Sequence, residues 1–112
     1  MSREEQRGYV QFVARCAREC ERWADECSAA GQTVKTRRVV WLCRECAEVC
    51  LNAAEALSCG TSYVYEISRR CIETCRCCAA ECSRYDSVGA QRCAEACQQC
   101  AEELQQLMEV AV

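Results

Sequence analysis

Apolar and polar positions repeat with a helical period through four long segments of the chain. In each segment small or apolar side chains return every three or four residues, and charged side chains fill the positions between them, as in amphipathic helices. Gly31, Gly60 and Gly89 interrupt this pattern beside Ser, Thr or Gln, which indicates turns. The predicted helices span approximately residues 3–30, 34–58, 62–84 and 88–110.

Short connections between helices of similar length favour neighbours that run in opposite directions. The sequence therefore predicts an all-α fold, an antiparallel up-down-up-down four-helix bundle, formed by a single domain over residues 1–112. Ser2 and Glu5 form a capping-box pattern at the start of the first helix. Asp86 or Ser87 can cap the fourth helix.

Cysteine occupies the inward face of each predicted helix, where most bundles carry leucine or isoleucine. The chain has 15 cysteines among 112 residues. At about 100° per residue, thirteen of them form four stripes, and the cysteines of each stripe fall within about 60° of one another. The cysteines on these four stripes are Cys16, Cys20, Cys27, Cys43, Cys46, Cys50, Cys71, Cys75, Cys78, Cys82, Cys93, Cys97 and Cys100. The prediction is a bundle with a cysteine-lined core.

Four residues stand apart from the stripes or interrupt them. Cys77 points about 120° away from its stripe on the helical wheel, and Cys59 lies at a helix end beside Gly60, so both are expected outside the core. Trp23 lies on the first stripe and is expected to fill core volume, whereas Trp41 faces away from its stripe. Hydrocarbon side chains are predicted to meet at one end of the bundle: Tyr9, Phe12, Val13, Leu57, Val64, Ile67, Leu104, Leu107 and Met108.

Charge and composition exclude several classes of function. A formal net charge of −3 and a pI of about 5.1 provide no basic surface for nucleic acid or for an acidic membrane. No apolar run is long enough to span a membrane, and no secretory signal pattern is seen. The chain is expected to be cytoplasmic, where thiols stay reduced. Because histidine is absent, no Ser-His or Cys-His pair exists, and the chain is predicted not to be an enzyme.

The cysteine spacing permits soft-metal binding. Cysteines three or four residues apart lie about 5–6 Å apart at Cβ on one helix face, and one linear metal with ~2.3 Å bonds needs sulfurs ~4.6 Å apart. Thiolates select Cu(I), zinc and iron–sulfur clusters. Ionising the buried thiols without compensation is prohibitive. A monovalent ion cancels thiolate charge one for one, whereas a four-thiolate zinc site keeps two negative charges. This argument favours several Cu(I) ions and leaves alternatives open: a zinc or iron–sulfur protein, a thiol redox or interaction module using Cys59 and Cys77, and an inert sulfur core.

The chain resembles the bacterial copper storage proteins, which are cysteine-lined four-helix bundles. The resemblance rests on "CRECAEVC" (43–50), "CIETCRCCAAEC" (71–82) and "CAEACQQCAEE" (93–103), and more loosely on "CARECERWADEC" (16–27). It covers approximately residues 10–104.

The resemblance implies multiple Cu(I) ions bound by thiolates inside the bundle, with the stripe cysteines as ligands. It also implies loading through one open end and, for cytosolic members, a homotetramer. A copper chaperone or an apo-enzyme acceptor is the expected protein partner. Members often carry histidines near the third turn, where this chain has Tyr85, Asp86 and Gln91 instead.

Overall fold

The computed structural model describes residues 2–110. Met1, Ala111 and Val112, which belong to the predicted domain, lie outside the described residues. The helices are α1 (Arg3–Arg7), α2 (Val10–Ala29), α3 (Val34–Cys59), α4 (Val64–Cys82) and α5 (Val88–Val110).

Helices α2 to α5 form the predicted antiparallel bundle, and the molecule with α1 measures about 44 × 19 × 18 Å. Helix α2 packs against α3 and α5, and α4 packs against the same two helices. No strand occurs within residues 2–110. The all-α fold class and the four-helix bundle are therefore confirmed, with the cysteine stripes turned inward.

The first predicted helix, 3–30, is divided in two. Helix α1 ends at Arg7, and α2 begins at Val10 after a turn at Gly8 and Tyr9. Glycine disfavours the helix interior, and α1 buries none of its side chains, so packing does not offset that cost. The Arg7 Nε donates to the Ser58 carbonyl oxygen at 3.5 Å, which attaches α1 to the end of α3.

Side-chain caps and one glycine define where the helices begin and end. The predicted capping box between Ser2 and Glu5 is present, with the Glu5 amide donating to Ser2 Oγ at 3.1 Å. At the start of α5, the Ala90 amide donates to Ser87 Oγ at 3.2 Å. Gly60 ends α3 with a φ of 68°, a left-handed conformation that glycine adopts without steric cost.

The two ends of the bundle differ in composition. We call the end near residues 60–63 the apolar end, since Val13, Leu57, Val64, Leu104 and Leu107 are all buried there. The predicted meeting of hydrocarbon side chains is thus confirmed for eight of the nine residues, with Tyr9, Ile67 and Met108 partly buried against the same core. The prediction was wrong for Phe12, which is half-buried and does not pack against that core. The connections 30–33 and 83–87 lie at the opposite end, which we call the turn end.

Candidate metal centre

Twelve buried cysteines bring their sulfurs together along the bundle axis, and we call this set the sulfur column. Each helix from α2 to α5 contributes, because its stripe residues return every three or four positions. The column consists of Cys16, Cys20, Cys43, Cys46, Cys50, Cys71, Cys75, Cys78, Cys82, Cys93, Cys97 and Cys100. All twelve side chains are at most 1% exposed.

The sulfurs of the column form five overlapping groups of four. Within each group, all Sγ atoms lie within 4.8 Å of one another. From the apolar end to the turn end, the groups are Cys50/Cys71/Cys75/Cys100, Cys16/Cys46/Cys50/Cys75, Cys16/Cys20/Cys46/Cys97, Cys20/Cys78/Cys93/Cys97 and Cys43/Cys78/Cys82/Cys93. Each group shares two sulfurs with the next one. The arrangement is therefore continuous, unlike a set of isolated four-ligand sites.

Contacts between helices are as close as contacts within a helix. The Sγ atoms of Cys16 and Cys97 are 3.5 Å apart, and those of Cys50 and Cys71 are 3.7 Å apart. The Sγ atoms of Cys71 and Cys75, one turn apart on α4, are 3.9 Å apart. A tetrahedral zinc with ~2.3 Å bonds needs sulfurs about 3.8 Å apart, so a single group fits zinc as well as bridged Cu(I). Zinc and Cu(I) differ instead in the net charge that each ion would leave on the filled column.

Burial and mutual hydrogen bonding control the protonation of these thiols. Hydrogen bonds with Cys16, Cys20 and other neighbouring thiols, together with burial, hold the pKa of Cys97 well above the ordinary cysteine value. Cys78 is the opposite case, since hydrogen bonds with Cys20 and Cys43 lower its pKa. A thiol that accepts hydrogen bonds from several neighbours therefore releases its proton to solvent more readily when a metal binds, while the donating thiols stay neutral.

The ion pairs described within residues 2–110 lie on the outside of the bundle. Arg44 bridges Glu21 at 2.7 Å and Asp25 at 3.0 Å, joining α3 to α2 with partly exposed side chains. Arg38 pairs with Glu81 at 2.9 Å on the surface between α3 and α4. No arginine or lysine side chain within residues 2–110 is buried, so no cationic group lies among the column sulfurs. Negative charge formed inside the column must therefore be balanced by bound cations.

Cys27 differs from the other twelve stripe cysteines. Its side chain is 5% exposed, yet its sulfur belongs to none of the five groups. Burial, followed by the nearby carboxylate of Glu26, raises the pKa of the Cys27 thiol. The wheel could not separate Cys27 from the others, because it reports the direction of a side chain and not its height along the bundle.

Two aromatic rings cover the turn end. Trp23 lies one turn before Cys27 on α2 and packs edge-to-face against Tyr85, with ring centroids 6.3 Å apart. Its predicted role as a core residue is confirmed, since it is 9% exposed. Lys35 Nζ lies 5.4 Å from the centroid of the Tyr85 ring. The last sulfur group before these rings contains no sulfur from α2, and Trp23 occupies the corresponding turn of that helix.

Cys59 and Cys77 lie outside the core, as predicted. Both are exposed, whereas the stripe cysteines are buried. Trp41 also faces away from the core, with 63% of its surface exposed. Ser68 was missed by the sequence analysis: it is buried on the inward face of α4. Its position three residues before Cys71 is the signal that could have identified it.

Comparison with known proteins agrees with this geometry. The family model described as "Copper storage protein" matches residues 2–109. The chain is 29% identical, over 86 residues, to the uncharacterized cysteine-rich protein YhjQ of Bacillus subtilis (strain 168), covering 77% of this chain and 80% of that protein. The structure of the Cu(I)-bound copper storage protein BsCsp3 superimposes with a TM-score of 0.86 at 27% identity, covering 94% of this chain and 97% of that one. The apo form of copper storage protein 3 from Bacillus subtilis has a TM-score of 0.82 at 27% identity, covering 88% and 94%.

Proposed function

The chain belongs to the copper storage protein family, and we propose that it binds and stores multiple Cu(I) ions through cysteine thiolates inside the bundle. The carrying observation is the set of five four-sulfur groups that share sulfurs in pairs along the axis. A continuous column of soft ligands has room for many monovalent ions, each bridged to the next through a shared thiolate. We further propose that the whole chain acts as a single metal-binding domain, in line with the family match over residues 2–109.

The chemistry of loading is an exchange of protons for copper. Each thiol that binds Cu(I) gives its proton to solvent, so a cation replaces a cation and the charge of the column stays near zero. Thiolate formation without metal would leave buried negative charge. The arginines of the described ion pairs cannot balance it, because they lie on the surface. Charge balance thus couples each ionisation to the binding of an ion.

The proposed ligands are the twelve column cysteines and Cys27. The column residues are supported by their shared sulfur groups. Cys27 is supported by its burial next to the turn end, where it could hold an ion between the column and the surface. Cys59 and Cys77 are not proposed as ligands, because both are exposed and belong to none of the groups.

Storage, and not catalysis, is the proposed role, since the family is named for storage and the chain has no histidine. Within residues 2–110 no helix is both long and apolar enough to cross a membrane. We propose a cytoplasmic location, because a reducing compartment keeps so many thiols available for metal. A copper chaperone or an apo-enzyme is the proposed exchange partner.

A homotetramer is proposed for the assembly. Val34 and Trp41, seven residues apart on one face of α3, are 84% and 63% exposed, and exposed large apolar side chains at such spacing suit a contact between helices. Light scattering coupled to size exclusion should give about four times the 12.6 kDa chain mass. A monomer mass would refute this assembly.

Anaerobic titration with Cu(I) tests the storage function. We expect on the order of ten or more tightly bound ions per chain, given about one monovalent ion per thiolate. Anomalous scattering at the copper edge from crystals of the loaded protein should place the ions along the column and show whether Cys27 binds one. Saturation at one or two ions would contradict storage. A maximum of about three zinc ions, one per four column thiols, with little Cu(I) would indicate a zinc protein instead.

A further inference from the structure

One buried hydroxyl in the core has no partner. Ser68 is 1% exposed and is the buried polar residue among the described residues of the core. Its Oγ forms no hydrogen bond within residues 2–110, not even to a backbone carbonyl of its own helix. Buried polar atoms are almost always paired, because leaving one unpaired is unfavourable. The hydroxyl therefore requires an explanation, and packing does not provide one, since alanine would fill most of the same space.

The position of Ser68 is at the end of the sulfur column. It lies one helical turn before Cys71 on the inward face of α4, with Cβ atoms about 5–6 Å apart at such spacing. Because Cys50 and Cys71 are in contact at 3.7 Å and α3 runs antiparallel to α4, the register places the buried Ala53 level with Ser68. By the same register, Leu104 lies level with it on α5. The hydroxyl thus has hydrocarbon beside it and sulfur on one side only.

The sulfurs nearest to this end differ from those in the middle. Cys50 and Cys75 each belong to two four-sulfur groups, whereas Cys71 and Cys100 belong to one. When Cu(I) fills the groups, a thiolate in a single group has fewer metal neighbours and keeps more negative charge. A thiolate that keeps charge is a stronger hydrogen-bond acceptor than a neutral thiol. The loaded column therefore places next to Ser68 a stronger acceptor than the neutral thiol of the metal-free column.

We propose that Ser68 is a positioning residue of the copper store, which donates a hydrogen bond to the Cys71 thiolate when Cu(I) is bound. This inference rests on the proposed function. Cu(I) binding displaces the Cys71 thiol proton to solvent, while Ser68 keeps its own proton and rotates its hydroxyl toward the sulfur. A hydroxyl is a hard ligand and holds Cu(I) poorly. Ser68 consequently both stabilises the last thiolate and ends the column.

The test compares Ser68→Ala with wild-type protein, metal-free and loaded with Cu(I). The metal-free variant should melt at the same temperature as wild type or higher, because an unpaired buried hydroxyl is removed. In competition with a Cu(I) chelator, one or two ions should bind about tenfold more weakly, the size expected for one hydrogen bond to a charged acceptor. Ser83→Ala is the matched control, since that hydroxyl lies at the other end of α4 and already donates to the Ala79 carbonyl at 2.7 Å.

The outcomes separate this role from a structural one and from the proposed function itself. An equal loss of stability in metal-free and loaded Ser68→Ala would show a structural role only, and unchanged chelator competition would also overturn the proposal. If wild-type protein fails to bind several ions, the storage function fails first, whatever the variant does.

Ser68→Cys tests where the column ends. The new thiol continues the inward stripe of α4 at its natural spacing, so the capacity should rise by about one Cu(I) ion. Serine and cysteine are nearly isosteric, so this variant is expected to fold. A capacity identical to that of wild type would show that the column does not end because of the Ser68 hydroxyl.

Discussion

Individual cysteines in this chain differ in how many sulfurs surround them. Cys46 and Cys75 each belong to two four-sulfur groups, whereas Cys59 and Cys77 are exposed and belong to none. A bridging thiolate holds part of every ion in both of its groups, so its loss affects more than one ion. The contribution of a cysteine therefore depends on where its side chain lies, which is set by its direction around the helix and its height along the bundle.

Two double variants with the same number of thiols test this difference. Cys46→Ser/Cys75→Ser should lose more than two Cu(I) ions from the wild-type capacity, because three of the five groups contain one or both residues. Cys59→Ser/Cys77→Ser should keep the full capacity. Anaerobic titration with copper analysis of the desalted protein measures both. Equal losses in the two variants would show that capacity follows the number of thiols alone.

At the scale of the helices, the junction of α2 and α5 is set by one glycine. A Cβ atom on Gly89 would lie 2.8 Å from Trp23 Cε3 and even closer to the Glu26 carboxylate. The first turn of α5 therefore approaches α2 closely because residue 89 has no side chain. This contact holds Trp23 in place over the turn end of the column.

Gly89→Ala should give a net destabilisation of the metal-free protein of at least about 1 kcal/mol, because overpacking against the Trp23 ring exceeds the helix propensity gained with alanine. Urea unfolding followed by circular dichroism measures the change. Val88→Ala, at an adjacent position that is 63% exposed, is the control and should change stability by less than about 0.5 kcal/mol. A neutral Gly89→Ala would show that Trp23 and Glu26 move aside without cost.

For the whole molecule, loading and protonation are one equilibrium. Hydrogen bonds with neighbouring thiols, together with burial, raise the pKa of residues such as Cys97, and thiolate charge without a balancing cation is disfavoured throughout the buried column. Cu(I) must displace the thiol protons, and acid must favour the metal-free state. Copper retention should therefore fall as the pH falls.

Proton release during anaerobic titration in weakly buffered solution measures this coupling. We expect the release to approach one proton per thiol that binds copper, because uncompensated thiolate charge is disfavoured inside the metal-free column. Loaded protein should also melt at a higher temperature, because Cu(I) binds the folded state. Uptake of copper without proton release would mean that the column is already ionised.

Much of this protein could be predicted from local pattern. Helical periodicity and short connections are enough to predict the bundle, because amphipathic helices of similar length must bury their inward faces together. The same periodicity separated the buried cysteines from Cys77, and the position of Cys59 beside Gly60 at a helix end separated that residue. The break at Gly8 was missed, because whether a helix continues through glycine depends on what the segment before it packs against.

Sequence alone determined the thiol chemistry, the helical stripes and the inward direction of each stripe, since these follow from residue type and from rotation about a helix axis. Only the tertiary structure decided the height of each side chain relative to the other helices. Because of these heights, twelve sulfurs form five groups in which neighbouring groups share sulfurs, and Cys27 lies outside all of them. It also places the unpartnered Ser68 hydroxyl next to the last group. These relations depend on register between helices, which is set by packing of the whole bundle and has no local signal in the chain.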